Sequence, residues 1–185
     1  MVPSVKCLLS MMMLYILASA SVWADDNSSV VVNFSAQISD GTCGIQLSED
    51  TLQFGVYKAI DFQPAKAVAM LPLTATVTCS GPTTPKLTVT GTTPYSASPA
   101  IFRDADSVAD GAGFMVQRDT GSLDLSSFYN ESTAINNGTS FSLSPVSAAD
   151  TPQPEFFLLG LVRAGSGTVS PGVIKAALMF TVSFD

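Results

Sequence analysis

Apolar side chains recur at every second position along two stretches of the chain, one near each end. One stretch is SSVVVNFSAQIS, residues 28–39, and the other is GVIKAALMFTVSFD, residues 172–185. A period of two is that of a β-strand with one buried face, whereas an amphipathic helix repeats every three or four residues. Both stretches therefore predict strands. The apolar face of the first is Val30, Val32, Phe34, Ala36 and Ile38, and that of the second is Ile174, Ala176, Leu178, Phe180, Val182 and Phe184.

Strands as apolar as these must be covered. An exposed apolar strand edge pairs with any other chain it meets and so promotes aggregation. Two arrangements satisfy the requirement. The two strands pair within one molecule and close a sheet, or each of them completes a neighbouring molecule.

Between these stretches, short strand-like runs alternate with turn residues. The runs are LPLTATVTC, KLTVTG, GFMVQ, SFSLSP and FFLLGLV, and they are separated by clusters such as SGPTTP, GTTPYSASP and INNGT. Helical periodicity is scarce, so helical crossovers between parallel strands are not expected. Strands at this spacing predict one domain, an antiparallel β-sandwich of the immunoglobulin-like kind.

The first 24 residues have the pattern of a signal peptide. Lys6 is the only charged residue among them, and an apolar run ends in Val22-Trp23-Ala24, a small-x-small cleavage site. Cleavage after Ala20 is the alternative. Loss of Lys6 changes the net charge from −7 to −8. Because no basic cluster remains, nucleic acid and anionic lipid are not expected partners.

Cysteine usage predicts one disulfide bond. Cys7 lies in the leader, which leaves Cys43 and Cys79, 36 residues apart. An even pair in an exported protein is expected to be bonded, and we expect the bond to tie the first strand to a neighbour across the sandwich. A bond that closes a loop of this size is worth roughly 4 kcal/mol in the chain-entropy model.

The absence of histidine argues against an enzyme. The chain contains no histidine, which excludes Ser-His-Asp and Cys-His hydrolases. Two cysteines alone do not make a tetrahedral zinc site, so neither a metal nor a cofactor is expected. Asp104, Asp106 and Asp110 form an acidic cluster. The stretch that contains them has neither the bidentate glutamate nor the flanking helices of an EF-hand calcium loop. We therefore assign them to a solvated surface loop.

Several motifs together resemble one protein family. The alternating extension is followed by DGTCGIQL with the first cysteine, by TLQFG, and by VTCSG with the second cysteine. At the end of TVSPGVIKAALMFTVSFD, Gly172 is the fourteenth residue counted back from the last one inclusively, and Phe184 is penultimate. In this order and spacing, the chain resembles a type 1-like fimbrial subunit, a pilin of the bacterial chaperone–usher pathway. It differs in having Phe184 where a tyrosine is usual and Ala36 where a glycine is usual.

The resemblance implies an incomplete fold and a partner. Such pilins form an immunoglobulin-like sandwich that lacks its last strand and is completed by a donor strand from a neighbouring subunit. It implies a signal peptide at residues 1–24, a donor-strand extension at 25–39 and a pilin domain at 40–185. The donor residues would be Val30, Val32, Phe34, Ala36 and Ile38. The acceptor groove, which is also the chaperone-binding strand, would consist of Gly172, Ile174, Ala176, Leu178, Phe180, Val182 and Phe184.

The resemblance also implies a route of export and assembly. A periplasmic chaperone would fill the groove first, and the next subunit's extension would replace it at the outer-membrane usher. The expected function is a structural, non-enzymatic subunit of an adhesive surface fimbria that is exported through the periplasm and polymerises head to tail. The alternative is a minor tip-adaptor or a receptor-binding, adhesin-like subunit. The sequence identifies no host receptor.

Overall fold

A computed structural model describes residues 41–184. The predicted leader, the whole of the predicted donor strand and Asp185 lie outside the described residues. Apart from a single 3-10 turn, Ala59–Asp61, the regular elements of the described part are strands. They are β1 (Cys43–Leu47), β2 (Ala67–Cys79), β3 (Lys86–Gly91), β4 (Ala112–Arg118), β5 (Ser140–Ser142), β6 (Gln153–Arg163) and β7 (Leu178–Ser183).

The strands form two antiparallel sheets. The larger sheet has the order β1-β2-β6-β4, and the smaller has the order β5-β3-β7. The predicted antiparallel, all-β sandwich is therefore confirmed. Four of the five internal runs that the sequence singled out fall entirely in β2, β3, β4 and β6, and the first half of the fifth, SFSLSP, forms β5. At the C-terminal stretch the strand is shorter than the alternation predicts, because the pairing ends where Leu178 meets Gly91, the last residue of β3. Residues 172–177 extend past the end of their partner strand.

The main core lies between the two sheets. Alternate residues of β2, β3 and β6 point inward, and Phe157 is fully buried at the centre. Its ring packs edge-on against Phe141 and Phe180, with ring centroids 6.4 Å and 6.1 Å apart. The period of two in the sequence thus becomes one apolar face on each sheet.

A second apolar cluster covers the outer face of the larger sheet. It includes Met115, Phe128 and Val162, all of them buried. Gly160 lies directly under the Phe128 ring, and a Cβ atom at that position would come within 2.1 Å of it. Because β6 is buried on both faces from Leu159 to Val162, its sequence FFLLGLV is almost continuously apolar rather than alternating.

The predicted bond between Cys43 and Cys79 is present, with a Cα–Cα distance of 4.1 Å. The expectation that it crosses the sandwich is wrong. Cys43 is paired directly with Cys79 in the register of β1 and β2, so the bond joins neighbouring strands of the same sheet. It therefore fastens the edge strand β1 to the central strand β2.

The edge of the sandwich formed by β4 and β5 is closed by an ion pair between a buried glutamate and a partly exposed arginine. Glu155 on β6 is 4% exposed and accepts hydrogen bonds from Arg118 (2.7 Å) and from the Ser144 backbone N–H. Arg118 also donates to the Ser142 carbonyl of β5 and lies over the Phe141 ring. One guanidinium thus links the edge strand of the larger sheet to the edge strand of the smaller one.

This ion pair makes stability depend on pH. Burial by itself would raise the pKa of Glu155, but hydrogen bonds from Ser144 and the charge of Arg118 outweigh it and hold the pKa below its usual value of 4.5. A lowered pKa stabilises the fold above 4.5, and that stabilisation is lost as the pH falls through the lowered pKa. We expect Glu155→Gln to cost about 1–2 kcal/mol at neutral pH and to flatten the acid limb of the unfolding curve. Urea titrations between neutral and acidic pH measure both effects. Glu49→Gln, at an exposed position, is the control and should retain the wild-type profile.

Candidate functional site

The opposite edge of the sandwich, between β1 and β7, is open. A groove of about 480 Å³ runs there. Its floor is the inner face of the larger sheet, with Leu73, Phe114 and Leu159. One wall is the stretch from Val173 to Phe180, and the other begins at Leu47, the last residue of β1, and continues through residues 49–54. The groove therefore opens directly onto the main core.

The β7 wall carries an unused strand edge. Within the described part of the chain, β7 is hydrogen-bonded to β3 alone and lies at the margin of its sheet. The side chains of Leu178, Phe180, Val182 and Phe184 all face the core, yet each is only half-buried, although they pack against fully buried residues. An apolar strip with free backbone donors and acceptors beside it has the features of a site for an added strand.

Residues 173–177, which lead into β7, are held on their inner side by the loop at 104–109. The backbone N–H groups of Asp104 and Val108 donate to the carbonyls of Lys175 and Val173, each at 2.8 Å. The Ser107 hydroxyl bonds both the N–H and the carbonyl of Lys175, at 3.0 Å and 3.1 Å. These hydrogen bonds take the place of those that a partner strand would make on this side of the segment. No described strand pairs with its other side.

The same loop uses its carboxylates locally. Asp104 accepts a hydrogen bond from the Ala177 backbone N–H at 3.1 Å. Asp106 pairs with Lys175 at 2.9 Å, and the hydrogen bond and charge of that lysine lower the pKa of Asp106. The sequence placed these residues in a surface loop but gave no sign that they position the wall of a groove, since the two segments are about 70 residues apart.

The facing wall leaves the larger sheet after β1. The pairing with β2 ends near Pro72, which has no N–H to continue the ladder, and the last backbone bond runs from Ser48 to Thr74. The TLQFG stretch that follows keeps Leu52 and Phe54 half-buried over the core. Phe54 packs against Phe114 with ring centroids 5.1 Å apart, which closes the lower end of the groove.

The predicted acceptor residues do not all lie in one place. Ile174, Ala176, Leu178 and Phe180 line the groove. Val182 and Phe184 continue the apolar face beyond it, and the Phe184 ring covers Gly41, whose added Cβ would lie 2.7 Å from two ring carbons. Gly172 is not among the lining residues: it packs on Val108 and Ala109 with a φ of +151°, where an added Cβ would lie 2.6 Å from the Ala109 nitrogen. Its close approach explains the need for glycine at the entry to the terminal segment.

The described residues also include no helix that could span a membrane.

Comparisons with known proteins agree with this architecture. The family model described as "Fimbrial protein" matches residues 32–185. Among solved structures, a chaperone–usher pilus structure described in connection with rod uncoiling aligns with a TM-score of 0.55 and 13% identity, over 86% of this chain and 97% of that one. The P pilus rod subunit PapA aligns with a TM-score of 0.55 and 14% identity, over 77% of this chain and 99% of that one. No curated protein sequence matches the chain.

The fold and the groove define an immunoglobulin-like sandwich of the pilin class, with one edge left open. The chain belongs to the fimbrial protein family, since the family model covers most of its length. It is therefore a structural fimbrial subunit, which polymerises with other fimbrial subunits and is located in a surface fimbrium. The similarity to a fimbrial subunit that the sequence motifs indicated is confirmed.

Proposed function

We propose that this subunit polymerises by donor-strand exchange, in which the extension at residues 25–39 of one copy occupies the groove of the next. The domain at residues 40–185 is the acceptor, and residues 1–24 are a leader removed on export. The observation that supports this proposal best is the unused edge of β7 beside a groove that opens onto the core.

The chemistry of the extension fits that groove. Backbone bonds to the free edge of β7 would give affinity whatever the sequence, and side chains at alternate positions would enter the apolar interior. The five residues that would point inward are Val30, Val32, Phe34, Ala36 and Ile38, none of them charged. Full burial of each large apolar side chain among them is worth roughly 1.5–3 kcal/mol. A head-to-tail contact of this kind does not close on itself, so it generates a fibre.

The same exposed groove requires protection before assembly. A periplasmic chaperone that lends a strand to β7 would keep the apolar strip out of water, and an outer-membrane usher would exchange that strand for the extension of the next subunit. In this proposal the protein is not an enzyme, and its groove binds a strand rather than a substrate.

Co-expression with the cognate chaperone in a periplasm tests the proposal. We expect a one-to-one complex that forms fibres when the chaperone is removed. Ala176→Asp places a carboxylate on the groove wall, where it stays hydrated in the empty domain but is buried without a partner once a strand docks. A cost of several kcal/mol should reduce polymerisation by at least about a hundredfold.

Thr181→Asp is the matched control. It adds the same charge to β7, but Thr181 is exposed on the outward face and pairs with Thr88. Fibre yield, measured by electron microscopy and sedimentation, should be close to wild type for this variant. Equal yields from the two variants would contradict docking in the groove.

A further inference from the structure

If the proposed strand exchange is correct, the direction of the donor strand determines where the rest of the donor lies. A strand that adds antiparallel to β7 starts beside Phe184 and finishes beside Ile174. Residues 30–38 of the donor and residues 174–184 of the acceptor are of similar length, so Ile38 reaches the lower end of the groove. That end is where Phe54 packs on Phe114 and where Val173 lines the wall.

The donor's own domain must then begin close by. Only Ser39 and Asp40 separate Ile38 from Gly41, where the described domain starts. Three extended steps of at most about 3.5 Å span roughly 10 Å. We call the end of the sandwich at Phe184, opposite the lower end, the upper end. In a donor of the same sequence, Gly41 lies at this upper end, against Phe184 and Ser80. The upper end of each donor is thus held next to the lower end of its acceptor.

Exposed valines lie at this lower end and close to it in the chain. Val108 and Val173 are 71% and 60% exposed, and they are adjacent because the Val108 N–H donates to the Val173 carbonyl at 2.8 Å. Val56, two residues after the groove residue Phe54, is 98% exposed. We name Val56, Val108 and Val173 the lower apolar rim. Three exposed β-branched side chains around the mouth of an apolar groove extend the apolar surface of the groove onto the end of the molecule.

We propose that the lower apolar rim is a second contact between successive subunits and packs against the upper end of the donor's domain. The partner is another copy of this chain, because the short connection places that copy at the rim whenever its extension is docked. The surface it would present comprises the start of β1, the turn after β2 and the loop at 147–152, which are joined by bonds from Ser80 to Thr42 and from Asp150 to Cys79. A contact between tethered surfaces forms at a high effective concentration, so a small apolar area is sufficient.

Site-specific photo-crosslinking in assembled fibres tests this contact. A photoreactive phenylalanine analogue at Val173 should cross-link to residues 41–43, 80–84 or 147–152 of the neighbouring subunit, as identified by mass spectrometry. The same analogue at Gln53, an exposed residue on the groove wall, should cross-link to residues 28–39. At Met179, which is 67% exposed on the outward face of β7, neither product should form.

The two positions separate the two proposals. Cross-links from position 53 to residues 28–39, without any from position 173 to residues 41–43, 80–84 or 147–152, would overturn the rim contact and leave strand exchange intact. The absence of cross-links from position 53 to residues 28–39 would overturn strand exchange itself.

A double substitution provides a second measurement. Val56→Ser with Val108→Ser, at two rim positions that do not line the groove, should speed fibre dissociation in denaturant by at least about tenfold, given the transfer free energy of a buried valine. The melting temperature of the isolated subunit should not change, because both side chains are exposed there. An unchanged dissociation rate would contradict the contact.

Discussion

A subunit whose extension is moved from the start of the chain to its end is expected to be a soluble monomer that melts well above the truncated domain. The change removes residues 25–39 and appends SSVVVNFSAQIS after Asp185 through a short flexible linker. The linker lets the strand turn back and lie antiparallel to β7, and its effective concentration rises to roughly the millimolar range. Since the groove is then filled from within, the variant should neither donate a strand nor accept one.

The expected stabilisation follows from burial. Each large apolar side chain that gains a dry site contributes roughly 1.5–3 kcal/mol. Even a net gain of about 3 kcal/mol raises the melting temperature of a domain of this size by roughly 6–12 °C. Differential scanning calorimetry of the rearranged and truncated chains measures the difference.

Two substitutions in the appended strand test its orientation. Phe34→Asp should abolish most of the gain because it places an unpaired carboxylate in the core. Asn33→Asp, on the other face, should change little. If the appended strand does not stabilise the domain, or if both substitutions behave alike, the extension is not a donor strand for this groove.

Removal of the disulfide should have the second large effect. We expect the double variant Cys43→Ala with Cys79→Ala to lose roughly 4 kcal/mol of unfolding free energy, because a loop of this length is no longer constrained in the unfolded chain. The bond also fastens β1, whose only hydrogen-bonded neighbour among the described strands is β2. Since β1 forms part of the groove wall, strand docking should weaken as well.

Urea unfolding of the rearranged monomer, with and without reductant, measures this loss. The parent chain is the rearranged monomer with both cysteines. Reduction should lower its unfolding free energy by the same amount as the alanine substitutions, and the unfolding free energy of the alanine variant should not change with reductant. A parent chain whose unfolding free energy is the same before and after reduction would contradict the assigned stabilisation.

Much of the fold was predictable because a strand is a local property of the chain. The residues of β2 and β3 alternate over their own length, and each stretch carries that signal without reference to its neighbours. The pairing of Cys43 with Cys79 needed only an even count and an exported setting. For the candidate site, the sequence identified the apolar face of the terminal segment, and four of those residues line the groove.

Other features depended on contacts that the sequence does not show. Glu155 is a buried ion-pair partner in the core, although a charged residue in a strand pattern ordinarily indicates an exposed position. A glycine is required at position 160 because the ring of Phe128, more than 30 residues earlier in the chain, leaves no room for a Cβ atom. The loop at 104–109 reads as a solvated acidic turn, yet its backbone and Ser107 hold the segment that leads into β7.

By itself, then, the sequence predicted that the chain forms apolar-faced strands joined by turns, that Cys43 and Cys79 are bonded, and that both terminal stretches need a partner. Only the tertiary structure decided which strands form the two edges of the sandwich and how one of these edges is closed. Arg118 and Glu155 close one edge across 37 residues of sequence, while β7 reaches the opposite edge with a neighbour on one side only. The physical reason is that strand periodicity arises from the local pleat of the backbone, whereas the closing of an edge depends on side chains brought together from distant parts of the chain.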